Sequence, residues 1–148
     1  MKIMKVLIIG GVAAGATTAA RLRRLNKDVE MIVFEKGNYV SYANCGLPYY
    51  VSGEIQGKDD LLLMTPQLFY DRFQIDVRVT SEVTAIHPEN KSISVYNHMT
   101  GETYEENYDQ LVIATGSSPI RLPIPGIDHP DIQQLWTIDD FEKIRQKV

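Results

Sequence analysis

"MKVLIIGGVAAGATTAARLRRLN", residues 4–26, decides the fold. Its opening "MKVLII" is apolar and β-branched around one lysine and stops at Gly10 and Gly11. That is the pattern of a parallel strand buried on both faces and ending in a tight turn. From about Ala13 to Asn26, alanine, leucine and arginine favour a helix, which Asn26 can close. "VEMIVFE", residues 29–35, reads as a second buried strand. Strand, glycine turn, helix and strand make a βαβ unit, which builds a parallel sheet through a right-handed crossover.

The turn "GGVAAG", Gly10 to Gly15, is a dinucleotide-binding candidate. Glycine lets the backbone approach a pyrophosphate, and the free N–H groups of the following helix stabilise its charge. Against the spacing GxGxxG, Gly10 and Gly15 hold the first and third places and Val12 stands in the middle. Glu35 ends the second strand 20 positions after Gly15 (35 − 15), about the offset of a carboxylate that accepts ribose hydroxyls. On the helix, Thr17, Arg21 and Arg24 fall within an arc of about 60°. A solvated face is the ordinary reading of such a cluster, and a phosphate-bearing substrate nearby would change it.

Further along, "TPQLFYDRF" (65–73) reads as a short helix with Thr65 as N-cap and Pro66 in the first position. Three period-two segments follow, at 76–88, 91–98 and 102–109, the last two joined by a turn at "MTGE". They are expected as an antiparallel meander inserted in the parallel sheet. "QLVIATG" (110–116) then returns as a buried parallel strand, proline and glycine forbid regular structure over 117–130, and a helix is expected from Ile138 to Val148.

With 148 residues and 44% apolar composition, the chain has material for one core of ordinary size. No apolar run approaches the roughly 20 residues of a membrane span, and the N-terminal stretch is too rich in glycine for a signal sequence. A cytoplasmic protein without a membrane partner is therefore expected. The net charge of −4 argues against nucleic acid, whose phosphates select basic surfaces. No metal site is assigned.

The only cysteine, Cys45, sits in "SYANCGLPYY", residues 41–50. A lone cysteine is more often inert core than nucleophile. Here it lies among Ser41, Asn44 and Gly46, past the strand that carries Glu35, and ligands of open α/β sheets bind beyond the carboxyl ends of strands. A short helix starting near Cys45 would put the sulfur at a helix N-terminus, where the dipole favours the thiolate.

Together "IIGGVAAGA", "FEK", "SYANCGLPYY" and "LVIATGSSP" resemble the N-terminal part of the FAD-dependent pyridine nucleotide-disulfide oxidoreductases with one active-site cysteine. Within that group the likeness is to the coenzyme A disulfide and persulfide reductases. The resemblance implies a Rossmann-like FAD-binding domain, an incomplete part of a glutathione-reductase-like fold. It implies that Gly10, Gly11, Val12, Ala13, Ala14 and Gly15 hold the FAD pyrophosphate. Glu35 and Lys36 would take the adenosine ribose side, Val83 the adenine edge, and Ala114, Thr115 and Gly116 would lie near the cofactor. Thr17, Arg24, Ser41 and Asn44 match positions that contact coenzyme A, Arg21 falls where the family can place a polar contact, and Cys45 would be the redox nucleophile. Phe73 stands where some members carry a lysine that touches the substrate.

Two related flavoenzymes, NADH oxidase and NADH peroxidase, usually keep a histidine where this chain has Ala13. Its loss argues against peroxide chemistry, since protonating a leaving hydroxide needs a nearby acid. The expected reaction is NAD(P)H-driven reduction of a coenzyme A disulfide or persulfide. The alternatives are an oxidase or peroxidase, or a non-catalytic dinucleotide-binding redox module. By the same resemblance residues 1–148 are expected to be the N-terminal part of the FAD domain of a homodimeric enzyme. The NAD(P)H and dimerisation domains would lie outside this chain.

Overall fold

The computed structural model describes residues 3–147. In chain order the elements are β1 (Lys5–Ile9), α1 (Ala14–Leu25), β2 (Glu30–Phe34), α2 (Leu47–Val51), α3 (Pro66–Phe73), β3 (Asp76–Arg78), β4 (Ser81–His87), β5 (Ser92–Asn97), β6 (Thr103–Asn107), β7 (Gln110–Ile113) and α4 (Ile138–Arg145). They form two compact units, Met1–Tyr42 with Met64–Gly116, and Ala43–Leu63 with Ser117–Val148.

The first unit is built on a parallel sheet of order β3-β2-β1-β7, in which Leu7 pairs with Ile32 on one side and Leu111 on the other. Val6, Ile8, Met31 and Val33 pack with Ala16 and Ala19 of α1 and with Phe69 of α3. On the opposite face Leu7, Ile32 and Phe34 pack with Ile93 and Val95 of the antiparallel sheet β4-β5-β6. A sheet covered on both faces needs the unbroken apolar runs of β1 and β2. Each fully buried side chain of this kind stabilises by about 1.5–3 kcal/mol, so the two layers hold the parallel strands firmly. The Thr65 side chain accepts a hydrogen bond from the Leu68 N–H at 3.2 Å, and Pro66 opens α3, as the sequence predicts.

Two expectations need correction. Residues 76–88 are not one arm of the meander: Asp76–Arg78 joins the parallel sheet, with Asp76 opposite Ile32, and only Ser81–His87 pairs antiparallel with β5. Thr80 separates them at φ 51°, in left-handed backbone that a Cβ disfavours, with its N–H donated to the Gly37 carbonyl at 2.9 Å. Period-two alternation runs through both halves, so the pattern alone does not reveal two sheets. The strand at 110–116 is shorter than expected and is not buried, since β7 is the edge of the sheet and Ile113 is 63% exposed.

Charge also ties the two sheets of this unit together. The Lys5 ammonium donates to Glu106 at 2.6 Å, and Arg78 donates to the same carboxylate at 2.8 Å. Arg78 also pairs with Asp76 at 2.8 Å and lies over the rings of Phe34 and Tyr104. Burial alone would raise the Glu106 carboxyl, but the hydrogen bonds from Lys5 and Arg78 outweigh it and hold the group below the usual carboxylate range.

In the second unit the rings of Tyr50 and Phe141 stack with centroids 3.9 Å apart, and Leu47, Leu61 and Ile138 are buried. Thr137 and Asp140 form a capping box at the start of α4, which ends at Arg145, while the last residue of the expected helix, Val148, lies outside the described residues. Residues 117–130 carry no helix or strand, as their proline and glycine content predicts.

Candidate active site

In the first unit the chain leaves β1 at Gly10, whose φ of +97° suits glycine, and whose own Cβ, were there one, would stand 2.2 Å from the Ala114 carbonyl oxygen. A Cβ on Gly15 would stand 1.8 Å from the Gly10 carbonyl oxygen. Both contacts are with backbone, so the turn closes this tightly only with glycine at each position. Val12 is half-buried, and Ala13 and Ala14 are exposed. Ala13, the N-cap of α1, makes no side-chain cap, and the first turn contains no acidic residue. The donors of that turn therefore face no protein carboxylate on their own helix, which suits an anionic group.

Glu35 is fixed beside this turn. Its Oε2 accepts the Gly11 N–H and its Oε1 the Gly37 N–H, each at 2.8 Å. Its own N–H donates to the Arg78 carbonyl and its carbonyl accepts the Ser81 N–H, both at 2.9 Å. Each carboxylate oxygen keeps a further lone pair, so a carboxylate held this way can still accept hydroxyl donors.

Gly10, Glu35, Lys36, Val83 and Thr115 line one cavity of about 150 Å³, together with Phe34, Ser81 and Glu82. Residues named from four separate stretches of sequence thus meet at the carboxyl ends of the parallel strands, where open α/β sheets bind ligands. Ala114 packs its backbone against Gly10, and Gly116 is exposed at φ +69°. Sequence reasoning misses Ser81 and Glu82, and their position two and one residues before Val83 is the signal that could find them.

Thr17, Arg21 and Arg24 lie on the exposed face of α1, as the helical spacing predicts. Ser41 has left-handed backbone at φ 47° and donates its N–H to the Gly11 carbonyl at 2.9 Å. Phe73 packs against the core beside Phe69, ring centroids 6.3 Å apart, so its side chain serves the fold.

In the second unit Asn44, Cys45 and Gly46 form a single 3-10 turn directly before α2. Cys45 is a free, exposed thiol. It sits within that turn and not at the N-cap of α2, which is Gly46, because the Gly46 N–H donates to the Ala43 carbonyl at 2.9 Å and tightens the chain one residue earlier than expected. The turn is seated on a segment that carries no motif in the sequence. The Ala43 N–H donates to the Leu61 carbonyl at 2.9 Å, and a Cβ on Gly46 would stand 2.6 Å from Leu61 Cδ2. Among the described residues no helix is long and apolar enough to cross a membrane.

Comparison with known proteins yields a family and a set of relatives. The profile of the family described as pyridine nucleotide-disulphide oxidoreductase matches residues 4–148. A coenzyme A disulfide reductase of Staphylococcus epidermidis is 47% identical over 141 residues, which is 95% of this chain and 31% of that protein. The crystal structure of reduced Bacillus anthracis CoADR-RHD superposes with a TM-score of 0.91 at 43% identity, covering 99% of this chain and 26% of that one. An NAD-dependent persulfide reductase from A. fulgidus gives a TM-score of 0.91 at 39% identity, covering 97% and 27%. The chain thus spans about a third of the length of the curated relatives it matches.

Proposed function

The chain belongs to the pyridine nucleotide-disulphide oxidoreductase family, and on that premise we propose that it is the FAD-binding part of a reductase acting on coenzyme A disulfide or persulfide. The observation that carries the reading is the single cavity shared by Gly10, Glu35, Lys36, Val83 and Thr115. The glycine turn and the N-terminus of α1, which no side chain caps, suit a pyrophosphate, and Glu35, already oriented by two backbone donors, suits a ribose. Gly11, Val12, Ala13 and Ala14 supply the rest of the phosphate turn, Ala114 packs its backbone against Gly10, and Gly116 is assigned beside the cofactor.

When bound, FAD supplies the electron pair taken from NAD(P)H. The protein's part is thiol exchange. The Cys45 thiolate attacks one sulfur of the substrate disulfide, forming a mixed disulfide and releasing the first thiolate. Two electrons then cleave that bond, a proton goes to the departing substrate thiolate, and the Cys45 thiolate is restored. One cysteine suffices because the substrate brings the second sulfur. Thr17, Arg21 and Arg24 offer a hydroxyl and two cations for the phosphates of coenzyme A, while Ser41 and Asn44 orient its thiol end.

The names of the relatives support this substrate class, and the whole reductase is proposed to be a cytoplasmic homodimer that uses NAD(P)H. Cys45→Ser in the flavin-loaded reductase is expected to cut disulfide reduction at least a thousandfold while flavin absorbance stays. Turnover that survives the substitution would sink the reading.

A further inference from the structure

Four non-glycine residues have left-handed backbone among the described residues: Ser41, Gln74, Thr80 and Lys91. Three of them end or reverse an element. Gln74 is the C-cap of α3, Thr80 separates β3 from β4, and Lys91 directly precedes β5. Ser41 does none of these; it lies in the loop after β2 at φ 47°, and a Cβ makes that conformation unfavourable. A strained residue persists when its surroundings over-determine it.

Val40 anchors this part of the loop in the core cluster of the first unit, and two of the contacts at Val40 and Ser41 are with Gly11. The Ser41 N–H donates to the Gly11 carbonyl at 2.9 Å. Its neighbour Val40 is 2% exposed and packs where a side chain on Gly11 would be, since a Cβ there would stand 2.9 Å from Val40 Cγ1. Gly11 is not among the glycines with positive φ, so its missing side chain serves close packing, against Val40 first and then against Glu35 Cβ and Val33 Cγ1 at 3.3 Å. The Gly11 N–H meanwhile donates to Glu35 Oε2 at 2.8 Å. One glycine therefore binds the acidic residue through its N–H and the strained serine through its carbonyl.

We infer that Gly11 is a positioning residue for Ser41, holding the serine in a conformation it does not favour so that its hydroxyl is presented to the thiol-bearing substrate. The last clause rests on the reductase reading given above; the positioning itself does not. The phosphate turn and the serine loop then share a part, and a change at Gly11 that leaves the sheet intact releases Ser41.

Amide hydrogen exchange of the full chain, followed by NMR, tests this. Gly11→Ala is expected to speed exchange at Ser41 about tenfold or more while the amides of β1 and β2 keep their protection. Adding Val40→Ala to that chain makes room for the new methyl and should restore Ser41 to within about threefold of wild type. Unchanged exchange at Ser41 in a folded Gly11→Ala chain, or no restoration in a folded double variant, overturns the inference. Ser41→Gly does not depend on tolerating a new side chain. Relief of the left-handed strain should raise the thermal midpoint by roughly 1–3 °C, and a fall would overturn the inference. Titration of coenzyme A disulfide into the FAD-loaded protein separates the two readings. If Gly11→Ala frees Ser41 and weakens binding, both stand. If it frees Ser41 and binding is unchanged, the role of Gly11 stands and the assignment of Ser41 to the thiol site falls.

Discussion

The two units bury very different amounts of apolar material around their functional residues. In the first, ten buried residues among those described cluster on one face of the parallel sheet and five on the other. In the second, the buried apolar side chains among the described residues are Leu47, Tyr50, Leu61, Ile138 and Phe141, while Ile120, Leu122 and Ile124 are 82%, 58% and 53% exposed. The difference follows from what each unit presents. The dinucleotide proposed for the glycine turn would be held by backbone groups whose positions must not relax, which demands a stiff frame on both sides of the strand that feeds it. The exchange proposed for Cys45 needs an accessible thiol, and Cys45 is exposed on a short turn. The first unit is thus expected to resist local opening and the second to open at lower free energy.

The sharpest way to break this comparison is a glycine substitution in each unit. A methyl at Gly15 would meet the Gly10 carbonyl oxygen at 1.8 Å with no flexible atom to yield, so Gly15→Ala should cost more than about 3 kcal/mol. Gly53, in the second unit, has φ +81° but nothing within 4 Å of where a methyl would stand, so Gly53→Ala should cost only about 1 kcal/mol. Urea unfolding of the two variants measures both. Equal losses would mean that the glycine turn is not held by a stiff frame.

A smaller effect sharpens the comparison within the second unit. Leu61 is fully buried beneath the cysteine turn, so Leu61→Ala should cost about 2–3 kcal/mol, near the low end for core leucines because this unit is thinly packed and can partly collapse. Hydrogen exchange should quicken over residues 43–63 and leave β1 and β2 unchanged. Equal loss of protection in β1 and β2 would show that the units do not open separately.

The same contrast explains what could be read from the sequence. The β1–α1–β2 unit is local, and each of its signals constrains the same 30 or so residues, so strand, turn, helix and Glu35 all fall where the pattern puts them. Thr65 and Pro66 are likewise local, and they open α3 as expected. What the pattern does not carry is which elements become neighbours. Alternation at 76–88 is the same whether the residues pair with β2 or with β5, and an apolar run at 110–113 does not say that the strand lies at an edge. The seat of the cysteine turn on Leu61 joins residues 15 or more apart through one backbone hydrogen bond and one methyl contact, and neither leaves a periodic trace. Ser41 shows the limit most clearly, because a serine in left-handed backbone has no signature in sequence at all.

Glu106 gives the smallest expected effect and asks whether the first unit behaves as one frame. It is the shared acceptor of Lys5 on β1 and Arg78 on β3, so it links the meander strand β6 to two strands of the parallel sheet. Glu106→Gln keeps the shape and removes the charge, and should cost roughly 1–2 kcal/mol at neutral pH, as charge-assisted hydrogen bonds at a partly exposed site do. The pH dependence has a definite sign. The folded carboxyl lies below its unfolded value, so its contribution is complete above about pH 4.3 and disappears as pH falls through the folded value, where the native state takes up the proton. Lys5 and Arg78 are both raised and stay charged throughout that window. Wild type and Glu106→Gln should therefore differ in urea midpoint at pH 7 and converge in the acid range. A difference that persists unchanged at low pH would assign the loss to packing of the amide, and the charge on Glu106 would then add little to the apolar contact of Leu7, Ile32 and Phe34 with Ile93 and Val95 that joins the two sheets of the first unit.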